Sequence, residues 1–569
     1  MMAAMNNPVD IIAPYQHQVG GTISSLRALV QTQGYIRETD QHKVAELFNI
    51  SRAEVRGIVS FYTDLCTEPP AERTIRVCQA EACQANGCRS LTASLEDRLG
   101  IKMGMSTPDN KLALEAVYCL GHCASGPAAM VDDHIFTYLT EKDLDLLIDD
   151  RGALDPANPV LPVATTIVPT AEQIIFNRCG KAAPLDIDAY RADGGFAGSL
   201  PAENLLAEVR ASGLRGRGGA GFPAHIKWQT VADQTTEQKY IVCNADEGDS
   251  GTFADRLIME GDPFLLIEGM LLAAKAVGAS RGFIYLRSEY PVAAKVLNEA
   301  IGVARSEDIL NDAFDIELFI GAGAYICGEE TSLLESLEGK PGLIRAKPPL
   351  PAIEGLLGKP TLVHNVITLC TVPWIIRHGG EAYREIGVGN STGTMPFQLS
   401  GNVKRGGLIE IPFGMPLGEF IETYGGGTRS GRPLKAVQIG GPLGAYLSVE
   451  QLATPLTYEA MAAIGAGIGH GGIVVFDDTV DMFEQATYAF TFCAHESCGK
   501  CTPCRIGSVR GRELMQDMQE NGCTQEKLIL VKDLCEVMTK ASLCQMGGMT
   551  PIPVQSAISH FPDSFMTEK

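Results

Sequence analysis

Residues 213–228 read GLRGRGGAGFPAHIKW, and this glycine-rich stretch decides how the rest of the chain is interpreted. Glycine permits positive φ and close approach of a ligand to the backbone, while Arg215, Arg217 and Lys227 add positive charge, which is typical of a phosphate-binding loop. The stretch contains GxGxxG, but the preceding AENLLAEVRAS has helical rather than strand character, which argues against a dinucleotide fingerprint. Alone, the motif fits a structural turn about as well as a nucleotide site. Its glycines are Gly213, Gly216, Gly218, Gly219 and Gly221.

The composition is that of a large globular protein. The 569 residues predict roughly four domains of ordinary size, and 45% apolar with 20% charged residues is a normal balance. The formal net charge of −22 argues against a nucleic-acid partner, because binding phosphates requires a basic surface. The sequence contains no apolar run of roughly eighteen residues and no basic-then-apolar segment at its start, so we expect a cytoplasmic protein without membrane insertion.

Seventeen cysteines are many for such a chain, and they favour metal ligation or buried thiols over disulfides. Five of them lie in TIRVCQAEACQANGC (74–88) and AVYCLGHCASGPAAMV (116–131). A two-iron two-sulfur cluster needs four thiolates brought together by two loops, as these segments would provide. A structural zinc site is the alternative, but its cysteines usually follow two-residue gaps. The five are Cys78, Cys83, Cys88, Cys119 and Cys123.

A second cysteine group lies in AHESCGKCTPCRIG, residues 494–507. Cys498, Cys501 and Cys504 follow CxxCxxC spacing, which places three thiolates on one tight loop, and Cys544 in SLCQMG supplies a distant fourth. This arrangement predicts a four-iron four-sulfur cluster, and a zinc site with the same ligands is the alternative. We expect the remaining cysteines of this region to be buried thiols in the surrounding helices. They are Cys493, Cys523 and Cys535.

The patterning elsewhere predicts several separate units. Apolar residues recur at helical spacing from 22 to 65, where Ser51 and Glu54 form a capping box, so we expect a small helical bundle after a loose tail of about a dozen residues. Residues 149–170 are rich in Pro and Ala and predict a linker. Short β-rich runs then alternate with helical segments, which predicts an α/β fold. Two polar segments, residues 243–256 and 321–342, begin at or just after the ends of predicted strands. Ligands bind at the carboxyl ends of strands in open α/β sheets.

Three strings in this order resemble the flavin- and NADH-binding subunit of respiratory complex I and its relatives, the diaphorase subunits of NAD-reducing formate dehydrogenases and hydrogenases. They are the opening loop, CNADEGDSGTFADR (243–256) and GAGAYICGEETSLLESLEGKPG (321–342). The N-terminal part resembles the thioredoxin-like two-iron subunit of complex I, including GIVSFYTDL and a CxxxxC…CxxxC pattern. That alignment selects Cys78, Cys83, Cys119 and Cys123 as ligands and leaves Cys88 over. A frame that uses Cys83 and Cys88 is the alternative.

The resemblance implies a bound FMN. Asn and acidic side chains suit ribityl hydroxyls and ring nitrogens, and Arg and Lys suit a phosphate. A solvated acidic loop is the alternative interpretation of Asp246, Glu247 and Asp249. The implied flavin contacts are Gly216, Arg217, Gly218, Lys227, Asn244, Asp246, Glu247, Tyr325, Gly328, Glu329, Glu330, Asn365 and Thr368.

The resemblance also implies that NAD lies over the flavin, with Phe222 as a stacking surface and Glu330 and Lys347 as polar contacts. The sequence departs from the complex I pattern at three positions: Leu350 replaces a second Phe beside the adenine, Asp249 replaces a Glu of the cofactor site, and His364 replaces an Asn of the flavin wall. The sequences of the segments EGDSGTFADR and KPPLPAIEG resemble the formate dehydrogenase branch more closely than complex I itself.

We therefore expect an α/β multidomain protein. Its predicted parts are an N-terminal tail and helical bundle (1–72), a thioredoxin-like 2Fe-2S domain (73–148), a linker (149–170), a Rossmann-like FMN- and NAD-binding domain (171–395), a ubiquitin-like domain and connection (396–480) and a helical 4Fe-4S domain (481–569). The ubiquitin-like part is implied because residues 397–446 resemble the ubiquitin-like insert of the flavin- and NADH-binding subunit of complex I.

The implied activity is that of a diaphorase. Nicotinamide exchanges two electrons as a hydride whereas iron–sulfur clusters pass one at a time, and a flavin converts between them, so no catalytic residue is expected beyond those that position cofactors. The first hypothesis is electron flow to NAD⁺ from a molybdenum-containing formate dehydrogenase subunit with further iron–sulfur clusters, with or without a small accessory subunit. A nickel-containing hydrogenase partner, a complex I-like module and a non-catalytic zinc-bound scaffold are the alternatives.

Overall fold

A four-stranded parallel sheet at the centre of the molecule carries the predicted site. The computed structural model of the protein describes residues 7–148, 167–197 and 200–565. The sheet consists of strands β7 (Tyr240–Ala245), β8 (Arg281–Leu286), β9 (Asp315–Ile320) and β10 (Thr361–Asn365) in the order β10-β7-β8-β9. Because β10 returns to the free side of β7, the strand order reverses between these two strands. A crevice forms at the carboxyl ends of strands at such a reversal.

Helices cover both faces of this sheet. One face packs against α1 (Pro8–Ile12), α2 (Gly21–Gln33), α3 (Glu38–Phe48) and α4 (Arg52–Phe61), whose apolar residues form one cluster with Val242, Phe283 and Phe319. The other face packs against the domain's own helices, chiefly α12 and α15. Those helices are α8 (Ile187–Ala192), α9 (Ala202–Ser212), α10 (Ala224–Ala232), α11 (Ala254–Gly261), α12 (Pro263–Val277), α13 (Pro291–Ser306), α14 (Glu330–Leu337), α15 (Val366–His378) and α16 (Gly380–Arg384).

The N-terminal helices differ from the expected tail and separate bundle. The predicted capping box is present: Ser51 Oγ accepts the Glu54 N–H at 3.1 Å, and the Glu54 carboxylate accepts the Ser51 N–H at 2.8 Å. Residues 7–12, expected in the tail, instead form a helix because Asn7 Oδ1 accepts the Val9 N–H at 3.3 Å. Residues 1–6 lie outside the described part of the chain.

The predicted thioredoxin-like part has a five-stranded sheet in the order β2-β3-β1-β4-β5. Strand β1 is parallel to β3, and Cys78 and Val117 are partners at the ends of these strands, which brings the loops after them together. The elements are β1 (Arg73–Cys78), α5 (Glu81–Gln84), α6 (Cys88–Leu99), β2 (Met105–Ser106), β3 (Leu112–Val117), β4 (Ala129–Val131), β5 (His134–Phe136) and α7 (Leu144–Ile148).

A six-stranded sheet follows the flavin domain. Its order is β16-β15-β17-β13-β14-β6, with β13 parallel to β17 and antiparallel to β14. The sixth strand comes from the end of the predicted linker, of which residues 149–166 lie outside the described part. The elements are β6 (Ile167–Val168), β13 (Thr394–Gly401), β14 (Gly407–Pro412), α17 (Leu417–Phe420), β15 (Leu434–Ile439), β16 (Ala445–Leu447), α18 (Tyr458–Ala463) and β17 (Gly472–Asp477).

In the described part of the chain, five α-helices follow β17: α19 (Met482–Glu496), α20 (Thr502–Asn521), α21 (Gln525–Ala541), α22 (Gln545–Met549) and α23 (Pro551–His560). A two-stranded ribbon of β11 (Gly387–Val388) and β12 (Ser391–Thr392) precedes β13. Short 3₁₀ or π segments cover Ala13–Tyr15, Cys123–Ser125, Glu141–Asp143, Tyr325–Gly328, Leu356–Gly358, Ile421–Gly425, Val449–Gln451 and Pro562–Phe565. Among the helices of the described residues, none has the length and apolar character of a membrane span.

Candidate functional site

The crevice at the reversal of strand order is lined by two asparagines. Asn244 and Asn365 are register partners at the ends of β7 and β10. Asn244 Nδ2 donates to the Gly328 carbonyl at 2.8 Å, which ties the segment before α14 to the crevice. Asn365 Oδ1 accepts the Ile367 N–H at 2.9 Å and so caps α15. Both side chains are thus fixed by backbone groups at the mouth of the sheet.

The glycine-rich loop closes over this crevice. Its turn is held by the Gly216 N–H, which donates to the Phe222 carbonyl at 2.8 Å. The Arg217 N–H donates to Thr368 Oγ1 at 2.8 Å. A Cβ on Gly218 would lie 2.8 Å from Asn365 Cβ, closer than side chains pack. The loop backbone therefore lies directly against the crevice, and glycine is required for that approach.

The guanidinium groups of both loop arginines bind protein groups, and Arg215 Nε donates to the Gly221 carbonyl of the loop itself at 2.6 Å. Arg217 is buried, and its guanidinium donates to the hydroxyls of Tyr458 (3.1 Å) and Tyr383 (2.8 Å) and to the Thr392 carbonyl (2.8 Å). Arg215 pairs with Glu459 at 2.7 Å. Both guanidinium groups therefore attach the loop to neighbouring segments. Tyrosine hydroxyls, a carbonyl and a carboxylate accept the hydrogen bonds that water would otherwise accept. Of the three cations predicted to surround a phosphate, Lys227 alone keeps contacts at the crevice side of the loop.

Lys227 belongs to a compact cluster of two cations and two anions. Glu330 contacts Lys227 Nζ at 2.8 Å and Lys347 Nζ at 2.7 Å, and Lys347 also contacts Glu329 at 3.0 Å. Burial alone would raise the pKa of Glu330, but the two ammonium groups lower it to about 2. The cluster thus brings together four residues that were predicted separately, and it keeps Glu330 ionised at neutral pH. Phe222 is exposed, as a stacking surface requires.

The acidic loop after β7 divides into two environments. Tyr325 donates to Asp249 Oδ1 at 2.6 Å, and Gly248 leaves room for the Tyr325 ring, which a Cβ would approach to 2.5 Å. Asp246 Oδ2 is buried and has no hydrogen-bond partner among the described residues. Burial raises the pKa of Asp246 well above its usual value. An unpaired buried carboxylate oxygen is costly, so this position fits a bound hydroxyl donor such as a ribityl group.

Glu247 lies in a buried network instead of the solvated loop of the alternative interpretation. Its carboxylate accepts the N–H groups of Asp255 (3.1 Å) and Arg256 (3.0 Å) and the Tyr290 hydroxyl (3.1 Å). His470 lies 3.4 Å from the same carboxylate and was not predicted, because the sequence GHGG before a strand carries no signal of a partner some two hundred residues earlier.

His364, which replaces an Asn of the complex I pattern, is also buried. Its Nε2 accepts the indole N–H of Trp228 at 2.9 Å. Burial and the nearby Lys227 lower the pKa of His364 to about 3, so the ring is neutral.

The predicted two-iron ligands lie together. Cys119 Sγ and Cys123 Sγ are 3.3 Å apart, and the thiols of Cys78 and Cys83 contact one another. Backbone N–H groups of Gly121 and Gly251 donate to Cys119 and Cys123 at 3.4 and 3.3 Å, a common environment of cluster thiolates. Cys88, the cysteine left over, begins α6 and is buried. Four sulfurs from two loops therefore converge in a manner that fits a two-iron cluster.

The predicted four-iron ligands converge between helices. Cys501 precedes α20, Cys504 lies in its first turn, and Cys544 precedes α22. Ser497 Oγ lies 3.2 Å from Cys504 Sγ. Cys493 and Cys535 are buried, as predicted, and Cys523 is half-buried. Cys493 Sγ lies 3.8 Å from Cys504 Sγ, a proximity that residue spacing did not indicate.

Both cysteine sites contact the flavin domain directly. On one side the Gly251 N–H reaches Cys123, and Arg256 Nε donates to the Gly121 carbonyl at 3.0 Å. On the other side Glu496, next to the CxxCxxC loop, accepts the Tyr325 N–H at 3.1 Å. The three predicted cofactor sites therefore form one connected unit.

The chain matches three protein families. Residues 209–374 match the Nuo51 FMN-binding domain, residues 9–151 the thioredoxin-like [2Fe-2S] ferredoxin, and residues 484–568 the NADH-ubiquinone oxidoreductase-F iron-sulfur binding region. Fold and donor groups thus define an NAD(H)-dependent oxidoreductase that uses FMN, a 2Fe-2S and a 4Fe-4S cluster, which confirms the predicted fold class, enzyme class and cofactors.

Individual relatives extend over most of the chain. NADP-reducing hydrogenase subunit HndC of Solidesulfovibrio fructosivorans is 43% identical over 415 residues, 71% of this chain and 84% of that protein. An NADH-quinone oxidoreductase subunit of Escherichia coli is 39% identical over 397 residues, 67% of this chain and 89% of that protein. NAD-reducing hydrogenase HoxS subunit alpha of Cupriavidus necator is 30% identical over 584 residues, 98% of this chain and 91% of that protein.

A solved structure also matches this chain over nearly its whole length. The crystal structure of an NAD⁺-reducing [NiFe]-hydrogenase in the H₂-reduced state has a TM-score of 0.86 and 31% identity, over 97% of this chain and 93% of that chain. The chain therefore belongs to the family of FMN- and iron–sulfur-dependent diaphorase subunits, in the form that carries a fused thioredoxin-like two-iron domain.

Proposed function

We propose that this chain is the diaphorase subunit of a multisubunit NAD-dependent formate dehydrogenase, in which electrons from a partner's iron–sulfur clusters reach the 4Fe-4S site, then FMN, and reduce NAD⁺. The contact between Glu496, beside the cluster loop, and the Tyr325 backbone at the crevice supports this order, because it connects the two sites without an intervening domain. Formate is favoured over hydrogen by the EGDSGTFADR and KPPLPAIEG segments.

The residues of the crevice would position the cofactors. FMN, when bound, exchanges a hydride with nicotinamide and single electrons with iron–sulfur clusters. Asn244, Asp246 and Asn365 would hold polar groups of the flavin, and the backbone of the glycine-rich loop with Lys227 would hold its phosphate. Glu330 and Lys347 would orient the nicotinamide, and Phe222 would stack on it. No side chain of this site is required to transfer a proton.

The partner would bind next to the four-iron site. Helix α21 exposes Ile529, Leu530 and Val537, each with more than half of its surface accessible (51%, 55% and 54%). Cys498, Cys501 and Cys544 of the four-iron site are half-buried, in contrast to the buried cysteines of the two-iron site. Helix α21 ends at Ala541, shortly before Cys544. Exposed apolar residues on the helix that leads to a half-buried ligand suit an iron–sulfur protein that delivers electrons. The proposed complex works in the cytoplasm.

A hydrogenase subunit is the second candidate. It is supported by the similarity to NAD-reducing hydrogenase HoxS subunit alpha across 98% of this chain. In that case the same crevice chemistry would serve a nickel-containing partner.

The metal content of the native complex tests the proposal. The complex would be isolated through a tag on this chain and analysed for metals by mass spectrometry. Molybdenum or tungsten without nickel is expected. Nickel without molybdenum or tungsten would mean that the chain is the diaphorase subunit of a hydrogenase. Iron and FMN without molybdenum, tungsten or nickel would mean that it belongs to a complex I-like module.

A further inference from the structure

A buried charged triad joins the ubiquitin-like part of the chain to the wall of the flavin crevice. His470 lies in the loop before β17, Glu247 follows β7, and Asp255 lies in the first turn of α11. His470 Nε2 is 3.1 Å from Asp255 Oδ1 and 3.4 Å from Glu247 Oε1. The side chains of all three are nearly inaccessible, at 6%, 1% and 1% for His470, Glu247 and Asp255. One imidazole nitrogen thus faces two carboxylates away from water.

Asp255 connects the triad to the crevice. Its Oδ2 accepts a hydrogen bond from Asn365 Nδ2 at 2.6 Å. Asn365 is the residue against which Gly218 of the glycine-rich loop packs. A displacement of Asp255 would therefore move a side chain of the flavin wall.

His470 is itself held by the neighbouring sheet. Its carbonyl accepts Gln398 Nε2 at 2.8 Å, and the Oε1 of the same glutamine accepts the N–H groups of Phe253 and Ala254 at the start of α11. The histidine loop and the acidic loop are thus fixed to one side chain. These bonds fix the backbone of His470 relative to the start of α11, from which Asp255 projects.

A cation at this position would offset the charges of the two carboxylates when both are ionised. Two carboxylates buried side by side repel strongly in a medium of low dielectric constant. Burial lowers the pKa of His470, but Asp255 and Glu247 raise it well above its usual value. The other charged groups nearby are Asp249, Arg256 and Arg287. The guanidinium groups of these arginines pair with Glu260 and Glu289.

We propose that His470 is protonated and acts as a positioning residue: its imidazolium bridges Glu247 and Asp255 and thereby fixes Asn365 at the flavin wall. This inference rests on the crevice being the FMN site. A divalent cation is the competing occupant, since ligand atoms of the three residues lie within 4.8 Å of one another. It would take a neutral imidazole as ligand instead of a proton.

Two variants separate these possibilities in the purified full-length holoenzyme. His470→Gln keeps a hydrogen-bond donor but removes the positive charge, which leaves two buried carboxylates uncompensated. The double variant His470→Gln/Asp255→Asn restores the net charge of the triad. His560→Gln on α23, where the ring contacts only the Tyr446 carbonyl among the hydrogen bonds described, is the matched control. The measurements are FMN per chain, the FMN midpoint potential and the metal content.

For His470→Gln we expect at least a tenfold loss in FMN affinity and a more negative FMN potential, because added negative charge disfavours the reduced flavin. The double variant should recover most of both, and the control should match the wild type. If His470→Gln retains wild-type affinity and potential while the wild type contains FMN, the inference is wrong and the proposed function stands. If the wild type lacks FMN, the proposed function fails instead.

Metal analysis supplies a test that needs no folded variant. The wild-type holoenzyme should contain no stoichiometric metal beyond the iron of its two clusters. One further zinc or other divalent ion per chain, lost when Asp255 is replaced by Asn, would overturn the protonated bridge. If His470→Gln does not fold, Asp255→Asn alone decides the issue: with a protonated bridge it removes one buried negative charge and leaves the metal content unchanged, whereas with a metal site it releases the bound ion.

Discussion

At the residue scale, the absence of a side chain at Gly218 determines how closely the glycine-rich loop approaches the crevice. A Cβ there would lie 2.8 Å from Asn365 Cβ, whereas a Cβ on Gly302 in helix α13 would meet nothing within 4 Å. We expect Gly218→Ala to displace the loop, release FMN and cost about 1–3 kcal/mol of stability, as overpacking does. Gly302→Ala should retain FMN and gain up to about 1 kcal/mol. Flavin fluorescence and chemical unfolding measure both, and full FMN occupancy in Gly218→Ala would contradict the assigned contact.

Glu330 permits a second prediction at this scale. Its pKa is lowered to about 2 by Lys227 and Lys347, so its ion pairs contribute fully above its usual pKa of about 4.3 and are lost as the pH falls toward 2. The rate of NADH oxidation should therefore show no limb from Glu330 between roughly pH 5 and 9. Glu330→Gln should lower kcat/KM for NADH about tenfold, the effect of one charge-assisted hydrogen bond.

The matched control for Glu330 is Glu338, which also contacts two cations, Lys340 and Arg345, but lies outside the cluster at the crevice. Glu338→Gln should weaken stability without changing KM. Equal changes in kcat/KM for both variants would mean that charge balance of the domain, and not contact with the nucleotide, explains the effect.

The sequence predicted which residues belong to the candidate site better than it predicted which partners their side chains contact. The cysteine ligands and Asn365 stand out because spacing and the resemblance place them in one loop or at one strand end. The sequence could not show that Arg217 turns toward Tyr383 and Tyr458, because those tyrosines follow more than a hundred residues later. The same holds for Glu247, whose partner His470 belongs to another sheet. Polar side chains choose partners through tertiary contacts that local patterns do not contain.

At the scale of elements, helices α1–α4 show that a sequence can predict the apolar face of a helix without predicting the surface against which that face packs. Helical periodicity and the Ser51–Glu54 capping box were sufficient to predict α4 and its first turn. They did not predict that this face covers the flavin sheet, since amphipathicity indicates that a face is buried but not against what. Strand β6 is a similar case: two residues of a Pro-rich stretch pair with β14 because that strand edge was available.

Helix α21 carries a prediction of its own because Ile529, Leu530 and Val537 are each more than half exposed. Leu530→Glu/Val537→Glu should reduce recovery of the catalytic partner, seen as loss of its metal from the isolated complex. NADH oxidation with ferricyanide should stay within about twofold of the wild type, since the crevice is untouched. As a control, Val292→Glu introduces one such charge at a residue of similar exposure (53%) on helix α13, for comparison with Leu530→Glu and Val537→Glu as single variants. Undiminished partner binding by the α21 variant would exclude this helix from the interface.

At the scale of the whole molecule, the two cluster sites differ in their access to the surface, and this difference predicts the path of electrons. All four predicted two-iron ligands are buried (1%, 1%, 0% and 2% for Cys78, Cys83, Cys119 and Cys123). Three of the four-iron ligands, Cys498, Cys501 and Cys544, are half-buried. A partner can therefore approach the four-iron site, whereas the two-iron site contacts the flavin domain through Gly251 and Arg256. This geometry favours a side store of electrons over a second point at which they enter.

Two cluster-deficient variants of the intact complex distinguish those roles. Cys498→Ser/Cys501→Ser should abolish NAD⁺ reduction by the partner's substrate while NADH oxidation with ferricyanide persists, because the flavin retains its own access to nucleotide and acceptor. Cys119→Ser/Cys123→Ser should remove the two-iron signal from the electron paramagnetic resonance spectrum and leave at least half of the substrate-driven NAD⁺ reduction, with FMN content as the control for correct folding. Complete loss of that activity with FMN and the four-iron signal intact would instead place the two-iron cluster on the main path, and the surface by which electrons reach it would then have to be sought on the thioredoxin-like domain.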